Sequence, residues 1–456
     1  MTKVLLVSAN IESLPDPVFP IGPAYIAALL GKHRIPHEVL DLCFVDDYQQ
    51  AITSALDAYS PDIIGLSIRN VDNVSYPEYR SYLPFYRKVV ATIRDNSRGL
   101  IVLGGSGFTL MPEQFMDALG ADVGIAGEGE EAFLHLIHRL EEGRPPAPAT
   151  IIYPSATIGM DINTLPFPDR SGFDNDAYLN LGGMGNIQTK RGCPFKCIYC
   201  TYPVIEGNRI RSRDPSRVCD EMEDLIKSGI KNVFIVDNEF NYPVAHTAAV
   251  CREMVRRKLS IEWGCYANPA FITDELVTLM QSAGCTGLEF GTDAAEPGML
   301  SRLGKNFTIE DIRNASAICR KNDMPFCHSL LLGGPGETMD TIQATVDNIL
   351  EIDPTAVICM IGIRIFPHTR IAAIAMEEEI TDASENYLKP AFYLSPAVAD
   401  EILPFVENFS KKHPTWIFPG FNINMYTKLQ QKLRRFGLKG PLWEYMKLGK
   451  RFKRQR

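Results

Sequence analysis

Three thiols within eight residues, Cys193, Cys197 and Cys200, are the strongest chemical signal in this 456-residue chain. They lie in Arg191-Gly192-Cys193-Pro194-Phe195-Lys196-Cys197-Ile198-Tyr199-Cys200, a loop opened by Gly and Pro just after a strand pattern. Thiolates are soft ligands that favour iron–sulfur clusters or zinc. Three of them on a four-iron cubane leave one iron without a protein ligand, open to a substrate or cofactor. A closed zinc site would want a fourth Cys or His, and the nearest, Cys219 and His246, stand in no paired motif. The remaining cysteines are thinly spread and the total of eleven is odd, so they read as small buried hydrophobes rather than a disulfide framework.

Such a loop needs parallel strands that end on one face. A β/α series from about 185 to 385 offers them: Ile187–Lys190, Asn232–Val236, Glu262–Tyr266, Gly287–Phe290, Cys327–Leu332 and Val357–Ile365. The spacing predicts a partial (β/α)6 barrel with its site at the carboxyl ends of the strands. Ahead of it, residues 1–145 alternate Val4–Val7, Val39–Leu42, Ile63–Ser67, Ile101–Leu103 and Asp122–Ala126 with helical stretches such as Ala24–Leu30. This rhythm predicts an α/β, doubly wound, Rossmann-like domain with a parallel sheet. Its strand ends carry Ser67-Ile68-Arg69-Asn70, Gly104-Gly105-Ser106-Gly107-Phe108-Thr109 and Gly127-Glu128-Gly129-Glu130. Glycines there let a backbone approach a large flat or phosphorylated ligand, a weak signal taken alone. Residues 146–184, rich in Pro, Ala, Asp and Gly, read as a linker. Residues 386–456 read as a mainly helical region, within which 392–405 would cap the barrel.

The C-x3-C-x2-C spacing, with aromatic Tyr199 before the third cysteine, resembles the radical S-adenosylmethionine superfamily. The resemblance covers about 185–385 and extends to other strand ends. Asn238 and Glu239, in Asp237-Asn238-Glu239-Phe240, sit where the family contacts the amino group of the cofactor methionine. Glu289 lies where members place a ribose or methionine contact. Gly333, Gly334 and Pro335 resemble the glycine-rich turn after the fifth strand, and Phe366 the segment beside the adenine. Plainer readings stand beside these: Asn238-Glu239 as a helix cap, and the glycines as a tight strand-to-helix turn. The resemblance implies a [4Fe-4S] cluster whose open iron chelates S-adenosylmethionine. One electron, from a donor such as flavodoxin or ferredoxin, then yields a 5′-deoxyadenosyl radical that abstracts hydrogen. No general base is needed for that step, so no catalytic side chain is assigned.

Phe19-Pro20-Ile21-Gly22-Pro23-Ala24-Tyr25, with the later glycine loops, is similar to the cobalamin-binding domain of cobalamin-dependent radical enzymes. The resemblance implies a cobalamin site formed by Ile21, Gly22, Ser67, Arg69, Asn70, Gly104, Gly105, Ser106, Thr109, Gly127 and Glu128. The loop 8–23 has no histidine, so no imidazole is expected beneath the cobalt. Arg69 would either lie against that lower face or take part in a structural ion pair. Together the two cofactors imply methylation of an unactivated carbon in a small-molecule substrate. Ring contraction, cyclisation or rearrangement, and a sensor without turnover, are the alternatives.

Bulk properties bound the rest. A net charge of -9 argues against nucleic acid as a general partner. No apolar run reaches the roughly 18 residues that cross a bilayer, and the apolar start is too short for an export signal, so a reducing cytoplasm is expected. The basic tail from Lys428 (Arg434-Arg435, Lys450-Arg451, Lys453-Arg454) with Leu433, Phe436, Leu442, Trp443 and Phe452 reads either as a contact for an anionic surface or carrier or as a solvated end.

Overall fold

The first sheet has six parallel strands: β1 Val4–Ser8, β2 His37–Asp41, β3 Ile63–Ser67, β4 Leu100–Gly104, β5 Val123–Ile125 and β6 Thr150–Ile152. Their spatial order is β2-β1-β3-β4-β5-β6, every pair parallel. Strand order reverses between β1 and β3, and in open α/β sheets such a switch point leaves a crevice at the carboxyl ends. The central strands β1, β3 and β4 are largely buried on both faces, as their near-continuous Val, Ile and Leu runs require. One face packs on the helices Ile21–Lys32 and Glu130–Glu141 through Ala27, Leu30, Phe133 and Ile137. The computed structural model describes residues 2–13, 16–153, 160–382, 384–419, 432–434 and 436–447.

The second sheet is also all parallel. It runs β17-β14-β13-β12-β11-β10-β7, with β7 Gly185–Ile187, β10 Asn232–Ile235, β11 Glu262–Ala267, β12 Cys285–Asp293, β13 Phe326–Leu332, β14 Ala356–Ile361 and β17 Trp416–Ile417. Between β7 and β10 lie β8 Lys190–Arg191 and β9 Arg211–Ser212, an antiparallel pair. After β14 come β15 Ile363–Arg364 and β16 Phe392–Tyr393, also antiparallel. Each crossover helix turns an apolar stripe to the sheet. In Pro215–Lys227, capped by Asp214, the buried stripe is Val218, Cys219, Met222 and Leu225; in Met339–Ile352, capped by Thr338, it is Ile342, Val346 and Ile349.

The structure refines the sequence boundaries in three places. The run expected as one strand at 187–190 ends at Ile187, and Lys190-Arg191 peels off to pair with β9. The run 357–365 breaks at Gly362, which has positive φ. The stretch read as a linker supplies β6 and the helix Asn175–Gly182, and the C-terminal region supplies β16 and β17 beside the helix Ile402–Lys412. Two- and three-residue strands are too short to show a period. Of the basic tail, Lys428, Arg435, Lys450, Arg451, Phe452, Lys453 and Arg454 lie outside the described residues. Among the described residues no helix is long and apolar enough to cross a membrane.

Candidate functional site

The cysteine loop leaves the barrel after β8, and its backbone geometry depends on Gly192. That residue has φ +89°, and a Cβ there would meet the Arg209 carbonyl at 2.1 Å, so only glycine fits. The Gly192 N–H donates to Glu206 Oε2 (3.0 Å), which also accepts from Asn238 Nδ2 (2.9 Å). Glu206 therefore ties the loop to the end of β10. The far side is held by 303–305 and 369–371: Ile198 N donates to the Leu303 carbonyl (3.1 Å), and Ile371 N to that of Ile198 (2.9 Å). All eleven cysteines are free. Among the described residues no three His, Cys, Asp or Glu side chains converge closely enough for a single metal ion. Burial pushes the thiols of Cys193 and Cys200 up, to about 11 and about 12, so ligation, rather than free ionisation, is what would make them thiolates.

Beside the thiols lies a charged group that the sequence reading did not identify. Lys305 Nζ, only 4% exposed, sits 2.5 Å from Asp293 Oδ2 and 3.4 Å from the Tyr199 hydroxyl, which itself donates to Asp293. Its positive charge also bears on Cys197. Glu239 faces the same space. Burial raises its carboxyl to about 7, the nearby Lys305 ammonium opposing, and its Oε2 is buried without a partner, as is Asn238 Oδ1. A pair of orphaned buried acceptors beside the cysteine loop fits a ligand carrying an ammonium group. Their position is fixed by Asp237, whose Oδ1 accepts from the N–H groups of Thr189 (2.6 Å) and Lys190 (3.2 Å).

The glycine turn after β13 is built around Glu337, fully buried, which accepts from the N–H groups of Gly333 and Gly334 (2.8 Å for the latter). Pro335 lies in the same turn, and Ser395, in the segment after β16, closes over it through its N–H to the Gly333 carbonyl (2.8 Å). Phe366, with the Arg364 guanidinium 4.5 Å from its ring centroid, lines a cavity of about 630 Å³. Glu289 stands apart from the other expected S-adenosylmethionine contacts. It lies four residues before Asp293 on β12, about 13 Å at strand rise, and its Oε1 accepts from Trp443 Nε1 (2.6 Å).

That cavity opens at the switch point of the first sheet. Ile21, Gly22, Ser67, Arg69, Asn70, Gly104, Gly105, Ser106, Thr109, Gly127 and Glu128 all line it. The opposite wall comes from the barrel: Gln188, Arg191, Tyr202, Glu206, Val236 and Phe366. Polar groups around an apolar lining, with bare backbone at Gly22, Gly104, Gly105 and Gly127, fit a wide ring system lying across the strand ends. Thr109 binds two loops together, its hydroxyl donating to the Gly105 carbonyl (2.8 Å) and accepting from Gly127 N (2.9 Å). Glu128 is committed elsewhere: Arg191 Nη1 (2.9 Å) and Arg211 Nη1 (2.6 Å) bind it, while Arg191 Nη2 binds Glu130 (2.6 Å). Burial pushes the Glu128 carboxyl up, but the two arginines outweigh it and hold the group below the usual range. Arg69 is exposed to the cavity, with no ion pair among the described residues. No histidine lines the cavity among the described residues; His37 lies against the Ile35 carbonyl and His33 near His138.

Residues 187–349 match the model of the radical SAM superfamily, and residues 7–137 match the B12 binding domain. The tryptophan 2-C-methyltransferase of Streptomyces laurentii is 28% identical over 442 residues, which covers 81% of this chain and 74% of that enzyme. An uncharacterized methyltransferase of Pyrococcus horikoshii is 26% identical over 385 residues, 77% of this chain and 78% of the relative. The fold is shared with the radical S-adenosylmethionine methyltransferase TsrM from Kitasatospora setae, solved with tryptophan substrate and aza-SAM. The TM-score is 0.86 at 24% identity, over 100% of this chain and 99% of that one.

Proposed function

This chain belongs to the cobalamin-dependent radical S-adenosylmethionine enzymes, and on that premise we propose that it is a C-methyltransferase for a small molecule with an apolar or aromatic body. The observation that carries the reading is the shared cleft. Residues of the first sheet's strand ends and residues flanking the cysteine loop line one cavity, so an acceptor carbon can meet both cofactors without leaving it. When bound, the cluster and S-adenosylmethionine supply one-electron cleavage of a carbon–sulfur bond, and cobalamin supplies a methyl carrier.

The chain's own residues then have separable tasks. Cys193, Cys197 and Cys200 would hold three irons of the cluster, and the nearby Lys305 would offset part of the thiolate charge. Asn238 and Glu239, with their unpaired buried oxygens, would take the ammonium of S-adenosylmethionine, and Tyr199, the Gly333-Gly334-Pro335 turn and Phe366 would supply its other contacts. The glycine loops of the first sheet would bed the corrin, with Arg69 a cation offered to it from a lining that holds no described histidine. Pro194 and Lys196, exposed at the tip of the cysteine loop, offer the approach for a flavodoxin- or ferredoxin-like donor. Eleven free cysteines suit a reducing cytoplasm.

Product analysis tests the reaction. Protein purified without oxygen and loaded with iron, sulfide and cobalamin is incubated with reductant, S-adenosylmethionine carrying a labelled methyl group, and tryptophan as first acceptor, since one relative is named for it. Methyl transfer yields S-adenosylhomocysteine together with labelled acceptor. Across an acceptor panel, 5′-deoxyadenosine with no S-adenosylhomocysteine would overturn methylation in favour of rearrangement or cyclisation, and release of neither would leave a sensor.

A further inference from the structure

The barrel is hollow, and its floor is supplied by a distant part of the chain. Side chains pointing outward from the strands, such as Ile235, Leu288, Phe290, Leu330, Leu332 and Cys359, are buried against the helices. The alternate positions are not filled. Phe234, Glu289, Ser329, Leu331 and Met360 are only half-buried, and Tyr266 is 39% exposed although burial pushes its hydroxyl well above the usual range. Tyr266 is the register partner of Glu289 and packs edge-on against Phe234, so it faces an internal space rather than the outer surface.

The amino ends of the same strands are closed by 440–447. Gly440 N donates to the Gly183 carbonyl (3.4 Å), just ahead of β7. At the other side Lys447 Nζ binds the Asp353 carbonyl (2.9 Å), ahead of β14. Between them Trp443 packs with Cys327, Ala356 and Ile358, and a Cβ at Gly287 would meet Glu444 Oε1 at 2.7 Å and the Trp443 ring at 3.0 Å. The indole N–H points upward and donates to Glu289 Oε1. No other described side chain donates to that carboxylate.

We propose that the segment 440–447 forms the floor of the acceptor pocket, and that Trp443 is a positioning residue that holds Glu289 as the pocket's hydrogen-bond acceptor for a flat N–H-bearing molecule. The geometry carries this. One carboxylate oxygen accepts from an indole and the other has no described donor; Tyr266, its register partner, pairs with Phe234 (4.9 Å between centroids), and Leu331 and Met360 stand further up the same inward face. A buried carboxyl acceptor in an otherwise apolar chamber selects for a donor, because a ligand without one leaves its oxygen desolvated and unpaired. The inference deepens the methyltransferase reading, yet its test does not pass through the reaction.

The experiment measures equilibrium binding of indole and of its isostere without N–H, benzothiophene, to the cofactor-loaded full chain, by ligand-observed magnetic resonance. Wild type is expected to hold indole about tenfold more tightly than benzothiophene. Glu289→Gln should erase most of that preference. Trp443→Phe, which keeps a ring in the floor, should reduce it while leaving the cluster and corrin absorption bands unchanged. Trp443→Ala should admit a bulkier probe, 2-phenylindole, that wild type excludes. Equal binding of the two probes by wild type, binding of neither, or an unchanged preference in Glu289→Gln would each overturn the proposal. Indole selection without S-adenosylhomocysteine formation would fail the methyltransferase reading alone.

Discussion

Glu239 is the residue with the most exposed consequence, because its carboxylate oxygen is buried with nothing to bind. A hydrogen bond to a charged group contributes about 1.5–3 kcal/mol, so Glu239→Gln should weaken S-adenosylmethionine binding about 10- to 100-fold. Equilibrium dialysis of the loaded protein measures this directly, and unchanged affinity would remove Glu239 from the cofactor's ammonium. The thiols, Asn238 and Glu239 were legible because each is part of a short run with a fixed place relative to a strand end. Lys305, Glu206 and Trp443 were not. Lys305 reaches Tyr199 across 106 positions and Trp443 reaches Glu289 across 154, and no local spacing encodes such a meeting.

Among elements, the loop between β8 and β9 is the one on which both domains converge. Arg191, at the end of β8, is buried with Glu128 and Glu130 from the other domain. Removing one member of a buried ion pair leaves an uncompensated charge and costs about 3–5 kcal/mol. Arg191→Met should therefore lower the stability of the apo protein by about that amount in urea denaturation, and wild-type-like stability would show that the pair is solvent-screened. A second clasp, Arg364 on β15 with Asp72 (2.8 Å), joins the same two domains. The long strands and their helices were legible from apolar runs and turns. β6, β16 and β17 were not, since two or three residues form strands only when a neighbour's edge is already there.

For the whole molecule, three buried carboxyls set a pH trend. Burial raises Glu289, Glu337 and Glu444 to about 7, above the ordinary 4.5. Each binds a proton more tightly folded than unfolded, so stability falls as pH rises through 7. The neutral buried His328, pushed down to about 3, opposes this only below about pH 6.5. Apo protein should melt at higher temperature at pH 6.5 than at pH 8 in scanning calorimetry; a flat or reversed profile would mean that these carboxyls are hydrated.

The Arg191 clasp also bears on modularity. The arginine two positions ahead of the first thiol is neutralised by carboxylates of the other domain, so neither half presents a finished surface alone. A barrel expressed without the first sheet would carry an unmatched guanidinium beside its cysteine loop. Likewise, a sheet grafted onto another barrel would bring two acids in search of a base at that one position. Chimeras within this architecture should succeed only when those partners travel together.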